Sequence, residues 1–221
     1  MIKLTLFLPL LAFFSACSNA SDNITPEFNS VYFTGLESTK VENYKEAILD
    51  YDLTSPDEKN LHFTNCTQVD ALKETDVAMH EFHLYTMLKA NCKALKLYTK
   101  AKASTTTYLS ELLVKKNIGN LPATAYPFVN TYDKSTRANK TLSSHQKKLE
   151  YKTMDDGSID VTTETDTLLY QILSTGDFNN DSIQDAIIRI DWHVLNAFGK
   201  GSKLVMISRL SKDDEFTEVD F

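Results

Sequence analysis

Apolar residues recur at helical spacing through the first half of the chain and at alternate positions through the second half. Between residues 70 and 103 there is no Gly or Pro, and Leu84, Leu88 and Leu95 belong to an apolar stripe with the period of an α-helix. A stripe of this kind predicts a helix that buries one side. Helices are predicted over 41–52, 70–103 and 107–118, within a helical region that covers residues 31–121.

After about residue 148 the apolar period falls from about 3.6 residues to about 2, which is typical of half-buried β-strands. The pair Asp156-Gly157 separates two alternating runs and predicts a hairpin turn. Further runs rich in Leu, Ile and Val lie at 167–175, 185–195 and 203–210, and their connections are too short for helical crossovers. The predicted fold class is α+β, with N-terminal helices packed on a mainly antiparallel sheet. The sheet occupies residues 122–221, either as a separate unit or in one domain with the helical region.

The start of the chain has the pattern of a secretory signal peptide. Lys3 precedes a nearly all-apolar run from Leu4 to Phe14, and small residues follow this run. The run is too short to span a bilayer as a helix, which needs about 20 residues. We therefore expect the protein to be exported. Ordinary cleavage after Ala20, at a site with small residues, is one route.

Lipidation is the second route, because the stretch from Phe14 to Cys17 (FSAC) resembles the bacterial lipobox, apart from its first residue, which is usually Leu. The resemblance implies a signal peptide over residues 1–16, acylation of Cys17 and a polar tether over 17–30. Ser18 in place of Asp implies sorting to the bacterial outer membrane, with the periplasmic face and the cell surface both open. Several acyl chains then hold the protein to the membrane.

The overall charge argues against one class of partner. The chain carries 23 basic and 30 acidic residues, which gives a formal net charge of −7. Such a chain has no overall electrostatic reason to bind nucleic acid or an anionic membrane surface. We expect no nucleic-acid partner.

Two cysteines remain if Cys17 is acylated, and in an oxidising compartment Cys66 and Cys92 are a candidate disulfide. A single straight helix between them would hold their Cα atoms nearly 40 Å apart, at about 1.5 Å per residue. A disulfide needs Cα atoms about 4.4–6.8 Å apart. Two alternatives follow: either the helix breaks near Thr75-Asp76 and the chain folds back, or the two thiols are free.

The Asp-rich stretch GDFNNDSIQD has the strongest pattern of a chemical site. Counted from Asp177, oxygen-bearing side chains fall at alternate positions, and the carbonyl of Ile183 would supply position 7. Calcium prefers six to eight oxygen ligands, which a tight loop of this pattern can offer. The predicted ligands of a structural calcium ion are Asp177, Asn179, Asp181, Ile183 and Asp185. The competing interpretation is a metal-free turn, since Asp and Asn also cap their own backbone.

Over about ten residues, 177–185 resembles the DxDxDGxxD loop of FG-GAP and VCBS-type extracellular modules. It is not an EF-hand, because Ile188 stands at position 12, where a bidentate Glu belongs. It departs from the resembled loop at Ser182, which replaces a Gly of positive φ and strains the turn by about 1 kcal/mol. The whole chain is similar to uncharacterised bacterial lipoproteins with one such loop, and these imply no activity.

No other motif indicates catalysis. The stretch HEFH lacks the spacing of a zinc protease motif, although Asp76, His80 and His83 would share one face of a continuous helix and so form a possible metal site. Exposed polar positions explain these residues equally well. A Gly-x-Ser-x-Gly elbow and a full phosphate-binding loop are both missing from the sequence.

Three functions remain open from the sequence. The first is a lipid-anchored envelope protein that binds another envelope protein or polymer and carries a structural calcium ion. The second is a periplasmic hydrolase of envelope polymers, and the third is an inhibitor or immunity-type lipoprotein. Because no catalytic group is visible, we expect a binding protein rather than an enzyme.

Overall fold

The computed structural model describes residues 23–38, 41–110, 112–127 and 131–221. The predicted signal peptide, Cys17 and the first part of the tether lie outside these residues. The strands are β1 (Glu27–Phe28), β2 (Tyr51–Thr54), β3 (Asn60–Phe63), β4 (Glu150–Thr153), β5 (Ile159–Thr162), β6 (Asp166–Gly176), β7 (Asp185–Val194), β8 (Lys200–Ser208) and β9 (Thr217–Val219). The α-helices are α1 (Cys66–Ala71), α2 (Phe82–Tyr98), α3 (Lys115–Ile118), α4 (Thr131–Thr136) and α5 (Leu142–His145).

One antiparallel sheet holds most of the strands, in the order β4-β5-β6-β7-β8-β9. Strand β1 pairs with Ser174 and Thr175 near the end of β6, and β2 and β3 form a separate hairpin. The predicted hairpin at Asp156-Gly157 is confirmed: it joins β4 to β5, and Gly157 has a φ of 86°, which a side chain would strain. The fold class is α+β with an antiparallel sheet, as the short connections indicate.

The two faces of the sheet contact different side chains, because successive residues of a strand point to opposite sides. On one face, Ile188 and Ile190 belong to a core with Leu109, Ile118 and Leu142 from the segment that precedes the sheet. On the opposite face, a smaller cluster joins Ala94 of α2 to the sheet residues Leu173, Ile187 and Met206. Full burial of each large aliphatic side chain contributes about 1.5–3 kcal/mol.

A buried arginine adds polar contacts between α2 and the sheet. Arg189 is 3% exposed, and its Nε and Nη2 donate to the Asp191 carboxylate at 3.0 and 2.8 Å. Its guanidinium also donates to the carbonyl of Tyr32 at 2.8 Å, to Asn91 on α2 and to Gln171 on β6. A buried charge is tolerated only when it is paired and hydrogen-bonded in this way.

Two predicted helices are wrong in large part. Residues 41–52 contain only a 3₁₀ turn at Tyr44–Glu46 before β2 begins, and the described residues of 107–118 are helical only over α3. In the first segment Val41, Tyr44 and Ala47 are still buried, so the apolar pattern reflects burial and not helical geometry. Burial of an irregular segment produces similar spacing, and tertiary packing overrides weak local propensity.

The long predicted helix is also interrupted. Helix α1 ends at Ala71, 3₁₀ turns follow at Glu74–Asp76 and Met79–Glu81, and α2 begins at Phe82. This fold-back brings the cysteines together: Cys66 and Cys92 form a disulfide with Cα atoms 5.4 Å apart, and both are fully buried. The structure therefore follows the first of the two alternatives, in which the helix breaks near Thr75-Asp76.

Candidate functional site

The Asp-rich loop connects β6 to β7 and lies against the segment that follows α2. The backbones of Lys102 and Asp177 exchange two hydrogen bonds of 3.0 Å. Thr105 donates its backbone N–H and its hydroxyl to the Ser182 carbonyl, at 2.8 and 3.1 Å. The N–H of Gln184 donates to the Thr106 carbonyl at 2.9 Å. The loop is therefore fixed on one side by the chain around residues 102–106.

Within the loop, the Asp and Asn side chains accept hydrogen bonds from the backbone. Asp177 accepts the N–H groups of Asn180 at 2.6 Å, Asp181 at 3.2 Å and Ser182 at 3.0 Å. Asn179 accepts from the N–H of Asp181 at 3.0 Å, and Asp181 accepts from the N–H of Ile183 at 2.8 Å. The alternating side chains thus fold back on their own loop, as the metal-free interpretation expects.

The loop backbone takes the left-handed conformation at two positions without glycine. Asn180 and Ser182 both have φ of 68°. Asn tolerates this region, whereas Ser does so at a cost of about 1 kcal/mol. The sequence predicts strain at Ser182 because the resembled loops have Gly at this position, and the positive φ of Ser182 confirms the prediction.

Asp185 differs from the other loop acids because it is completely buried. Its Oδ2 accepts the N–H of Phe178 at 3.1 Å, but among the residues that the structure describes no donor bonds to its Oδ1. Burial raises its pKa, and the charges of Asp181 and Asp177 act weakly in the same direction. The nearby Ser208 hydroxyl and the Phe178 N–H act against this rise. A buried carboxylate with an unsatisfied oxygen is the kind of group that a cation would stabilise.

The donor set of the loop fits calcium in its chemistry. Asp177 and Asp185 are buried, whereas Asn179 and Asp181 are exposed, and all four carry oxygen. Nevertheless, within the described ranges no group of three or more His, Cys, Asp or Glu side chains is arranged to hold a metal ion. The calcium site is therefore a proposal. On binding, the ion would bring these side-chain oxygens and the Ile183 carbonyl together around it.

A second candidate site is a large apolar groove at the opposite end of β7 and α2. Its volume is about 1060 Å³, and it lies between the β7–β8 turn and the segment that leads into α2. Met79 is 93% exposed and Phe198 is fully exposed. We define the apolar groove by Pro56, Val77, Met79, Phe82, Trp192 and Phe198.

Glycine residues in β8 and the preceding turn shape the floor of this groove. The ring of Trp192 lies over Gly199 and Gly201, and a Cβ on Gly201 would come within 3.3 Å of the indole. A larger residue at 201 would therefore have to displace the indole. The sequence shows a glycine-rich stretch here (NAFGKGS), but it gives no sign that these glycines support an aromatic side chain.

A smaller cavity, lined in part by acid–base side chains, adjoins the groove. It has a volume of about 440 Å³, and Asp160, Asp191, His83 and His193 are among its lining residues. Burial, and then the nearby positive charge of Lys200, lowers the pKa of His83. The Asp191 carboxylate is held by Arg189 and by the Ser202 hydroxyl, which leaves it poorly placed to act as a base. The cavity gathers acid–base groups, but its best-placed carboxylate already has a structural role.

The alternative metal site in the helix is wrong. Asp76 ends one 3₁₀ turn, His80 lies in the next and His83 belongs to α2, so the three do not share one helical face. In the described part of the chain they do not gather as a metal-binding group.

Comparisons with known proteins add no further assignment. No family model matches the chain, and no curated protein or solved structure matches it either. Over the described residues, the chain has no helix of the length and apolar character that crossing a membrane would require.

Proposed function

We propose that the protein is an exported, lipid-anchored protein of the bacterial outer membrane that binds another envelope protein through the apolar groove. Acylation of Cys17 would hold it to the membrane, and the loop 177–185 would carry a structural calcium ion. We also propose that the N-terminal helical region as a whole packs on the sheet. The support is the buried cluster that Ala94 of α2 shares with Leu173, Ile187 and Met206 of the sheet.

The exposure of Met79 and Phe198 beside a groove is the observation that carries the binding proposal. Aromatic residues and Met are enriched at the buried centres of protein interfaces, where they fill pockets on the partner. In the isolated protein both side chains expose apolar surface to water, which is unfavourable unless a partner covers it. His80, Glu74 and Lys200 border the groove and would form a polar rim.

Calcium would act here as a clip and not as a catalyst. The ion would satisfy the buried Oδ1 of Asp185 and offset the repulsion among Asp177, Asp181 and Asp185. Because Asp185 begins β7 and Asp177 directly follows β6, binding would fix the connection between the two central strands of the sheet.

A periplasmic hydrolase is the second candidate, and the smaller cavity with His83, His193 and Asp160 favours it. The lowered pKa of His83 leaves its imidazole neutral near pH 7, as a general base requires. The pairing of Asp191 with Arg189 argues against it, and for that reason we place the binding function first. An inhibitor or immunity-type lipoprotein would be a special case of binding, with a toxin or a wall hydrolase as the partner.

A pull-down from envelope extract tests the binding function. The lipidated protein is compared with the groove variant Met79→Ser/Phe198→Ser and with Leu210→Ser, which alters an apolar residue that is 57% exposed outside the groove. We expect a partner to be captured by the wild type and by Leu210→Ser, and to be lost with the groove variant.

Two results would argue against this function. Capture that is equal for all three proteins would place the contact elsewhere, and no capture with or without chelator would remove the binding proposal. For the hydrolase candidate, release of fragments from purified envelope polymers by the wild type, abolished in His83→Gln, would reverse the order of the two candidates.

A further inference from the structure

Helix α2 and the turn that follows it present a stripe of lysines to solvent. The lysines are spaced by four, three and four residues, which places those of α2 along one line of the helix. The neighbouring residues Leu88, Asn91, Cys92 and Leu95 are buried, so the lysines occupy the outward face. The lysine stripe consists of Lys89, Lys93, Lys96 and Lys100, which are all exposed.

The net charge of the chain conceals this basic surface. Between residues 82 and 148 the sequence has twelve Lys and Arg residues but only two acids, whereas the chain as a whole is acidic. These residues lie on both faces of the sheet, so the local concentration of positive charge is the lysine stripe together with Lys102. Asp70 beside Lys96 and the Asp-rich loop beside Lys102 offset part of this charge. From its net charge, we expect the chain as a whole to have no electrostatic attraction to an anionic membrane. That expectation does not apply to the lysine stripe.

The lysine stripe ends close to the place where the tether joins the fold. Ile24 pairs with Ser104 through two backbone hydrogen bonds, and Lys102, which is exposed, lies between Ser104 and the end of α2. Ile24 is the seventh residue after Cys17. At about 3.3–3.6 Å per residue, a lipid on Cys17 would lie at most about 25 Å from this point.

The contacts of these lysines leave them able to bind more acceptors. Lys89 donates to the Tyr85 hydroxyl at 3.1 Å, Lys93 to the Phe221 carbonyl at 3.4 Å, and Lys96 lies 3.4 Å from the Asp70 carboxylate. An ammonium group has three donors, and each of these contacts uses one. A surface groove of about 650 Å³ follows the stripe and gives access to it.

We propose that Lys100 and Lys102, with Lys96 behind them, contact the anionic phospholipid headgroups of the membrane that holds the lipid. This inference rests on the proposed lipidation of Cys17, which supplies the tether. The acyl chains hold the protein, and the lysines orient it, so that α2 rises from the membrane and the apolar groove faces away from it. Basic residues next to a membrane anchor are attracted to anionic lipids over about one Debye length.

This arrangement predicts a gradient of contact along α2. Lys89 lies about 10 Å from Lys96 along the axis of α2, at about 1.5 Å per residue, and Lys100 follows beyond the end of the helix. The Debye length at physiological ionic strength is about 8 Å, so the attraction is largely screened at Lys89. Protection by the membrane should therefore be strongest at Lys102 and Lys100, and weakest at Lys89.

Amine labelling of the full lipidated protein in vesicles tests the proposal. One set of vesicles contains phosphatidylcholine alone and the other contains added phosphatidylglycerol, and mass spectrometry measures the modification of each lysine. We expect phosphatidylglycerol to slow labelling of Lys100 and Lys102 several-fold, and high salt to restore it. Lys59, exposed in the β2–β3 turn, is the internal control and should label equally in both. Uniform labelling across the two vesicle types, or equal protection from Lys89 to Lys102, would overturn the proposal.

A matched pair of variants separates charge from folding. Lys100→Gln/Lys102→Gln should abolish the effect of phosphatidylglycerol on Lys96, whereas Lys45→Gln/Lys59→Gln, which removes the same charge elsewhere, should preserve it. Protection of Lys96 that persists in the first variant would contradict the assignment. The intact mass shows whether Cys17 is acylated: an acylated protein without lysine protection refutes this inference alone, whereas a protein without acyl chains refutes the proposed anchoring and this inference with it.

Discussion

Ile24 and Ser104 exchange two backbone hydrogen bonds, with N···O distances of 2.7 and 2.9 Å. This pairing fixes the entry of the tether beside the end of α2 and near the Asp-rich loop. Trp192, in the apolar groove, lies seven residues along β7 from Asp185, or about 23 Å at about 3.3 Å per residue. The apolar groove and the point where the proposed tether enters the fold therefore lie towards opposite ends of β7, which would leave the groove accessible on a membrane-tethered protein.

The disulfide should contribute a large part of the stability. Replacing both Cys66 and Cys92 by Ala frees a chain segment of about 26 residues, and loop-closure entropy then lowers the free energy of unfolding by about 3 kcal/mol. Urea unfolding with and without reductant measures this effect. Reductant should lower the midpoint of the wild type to that of the variant and leave the variant unchanged; a wild type that is insensitive to reductant when unfolded would contradict the bridge.

Calcium should raise the melting temperature of the wild type in a concentration-dependent manner. Weak extracellular sites have Kd values of about 10⁻⁴–10⁻³ M, so about 10 mM calcium would add about 1–3 kcal/mol to the free energy of unfolding. Asp181→Ala should remove this response, whereas Asp213→Ala, in an exposed turn, should retain it. A wild-type midpoint that is the same in calcium and in chelator would eliminate the site.

Asp177→Ala separates the two roles of the loop. Asp177 accepts three backbone N–H groups, and their loss should destabilise the protein by about 1–3 kcal/mol even in chelator. If calcium binds to the wild type, the variant also loses the stabilisation that calcium adds to the free energy of unfolding. Melts of this variant in chelator and in calcium should therefore coincide, both below the wild type in chelator. A variant as stable as the wild type in chelator would mean that these backbone hydrogen bonds contribute little.

The buried Arg189 should be sensitive to substitution. Arg189→Leu removes the guanidinium bonds to Oδ2 of Asp191 and to the side-chain oxygens of Asn91 and Gln171, which should cost about 3–5 kcal/mol. Arg209→Leu, which removes hydrogen bonds to backbone carbonyls nearer the surface, should cost much less. Denaturant unfolding of both variants measures the difference, and equal midpoints would show that the buried network is energetically unimportant.

Stability should fall on acidification below pH 6.5 because burial lowers the pKa of both His83 and His145. Each is neutral in the folded protein at a pH where it is already protonated in the unfolded chain, so the unfolded chain binds more protons and is favoured as the pH falls from 6.5 towards the folded pKa. His83→Gln/His145→Gln should flatten this decline, whereas His80→Gln, at an exposed position, should not. Identical pH profiles of the wild type and the double variant would contradict the prediction.

The sheet could be predicted from the sequence because its signals are local. Alternating residues, an Asp-Gly turn and short connections specify antiparallel strands without knowledge of the rest of the chain. The short strands β1, β2, β3 and β9 were not predicted, since two to four residues give too little alternation to distinguish a strand from a loop. The irregular packing of Tyr44 and Ala47 was mistaken for a helix for a similar reason.

Of the candidate sites, the sequence indicated the Asp-rich loop and not the apolar groove. The loop is contiguous, so its pattern is visible in nine residues. The groove joins Pro56, Met79 and Phe198, which come together only after folding, and none of them has a distinctive neighbour in the sequence. The burial of Asp185 was equally invisible, because it depends on the strands that surround it.

The most direct test of the binding function is photo-crosslinking in intact cells from position 198. A photoreactive phenylalanine analogue replaces Phe198 in one strain and Leu210 in another, so that both probes are exposed but only the first lies in the groove. The binding function predicts a discrete crosslinked protein from position 198 that is absent from position 210 and is lost when Met79 is also changed to Ser. No adduct from position 198, or the same adducts from both positions, would contradict it.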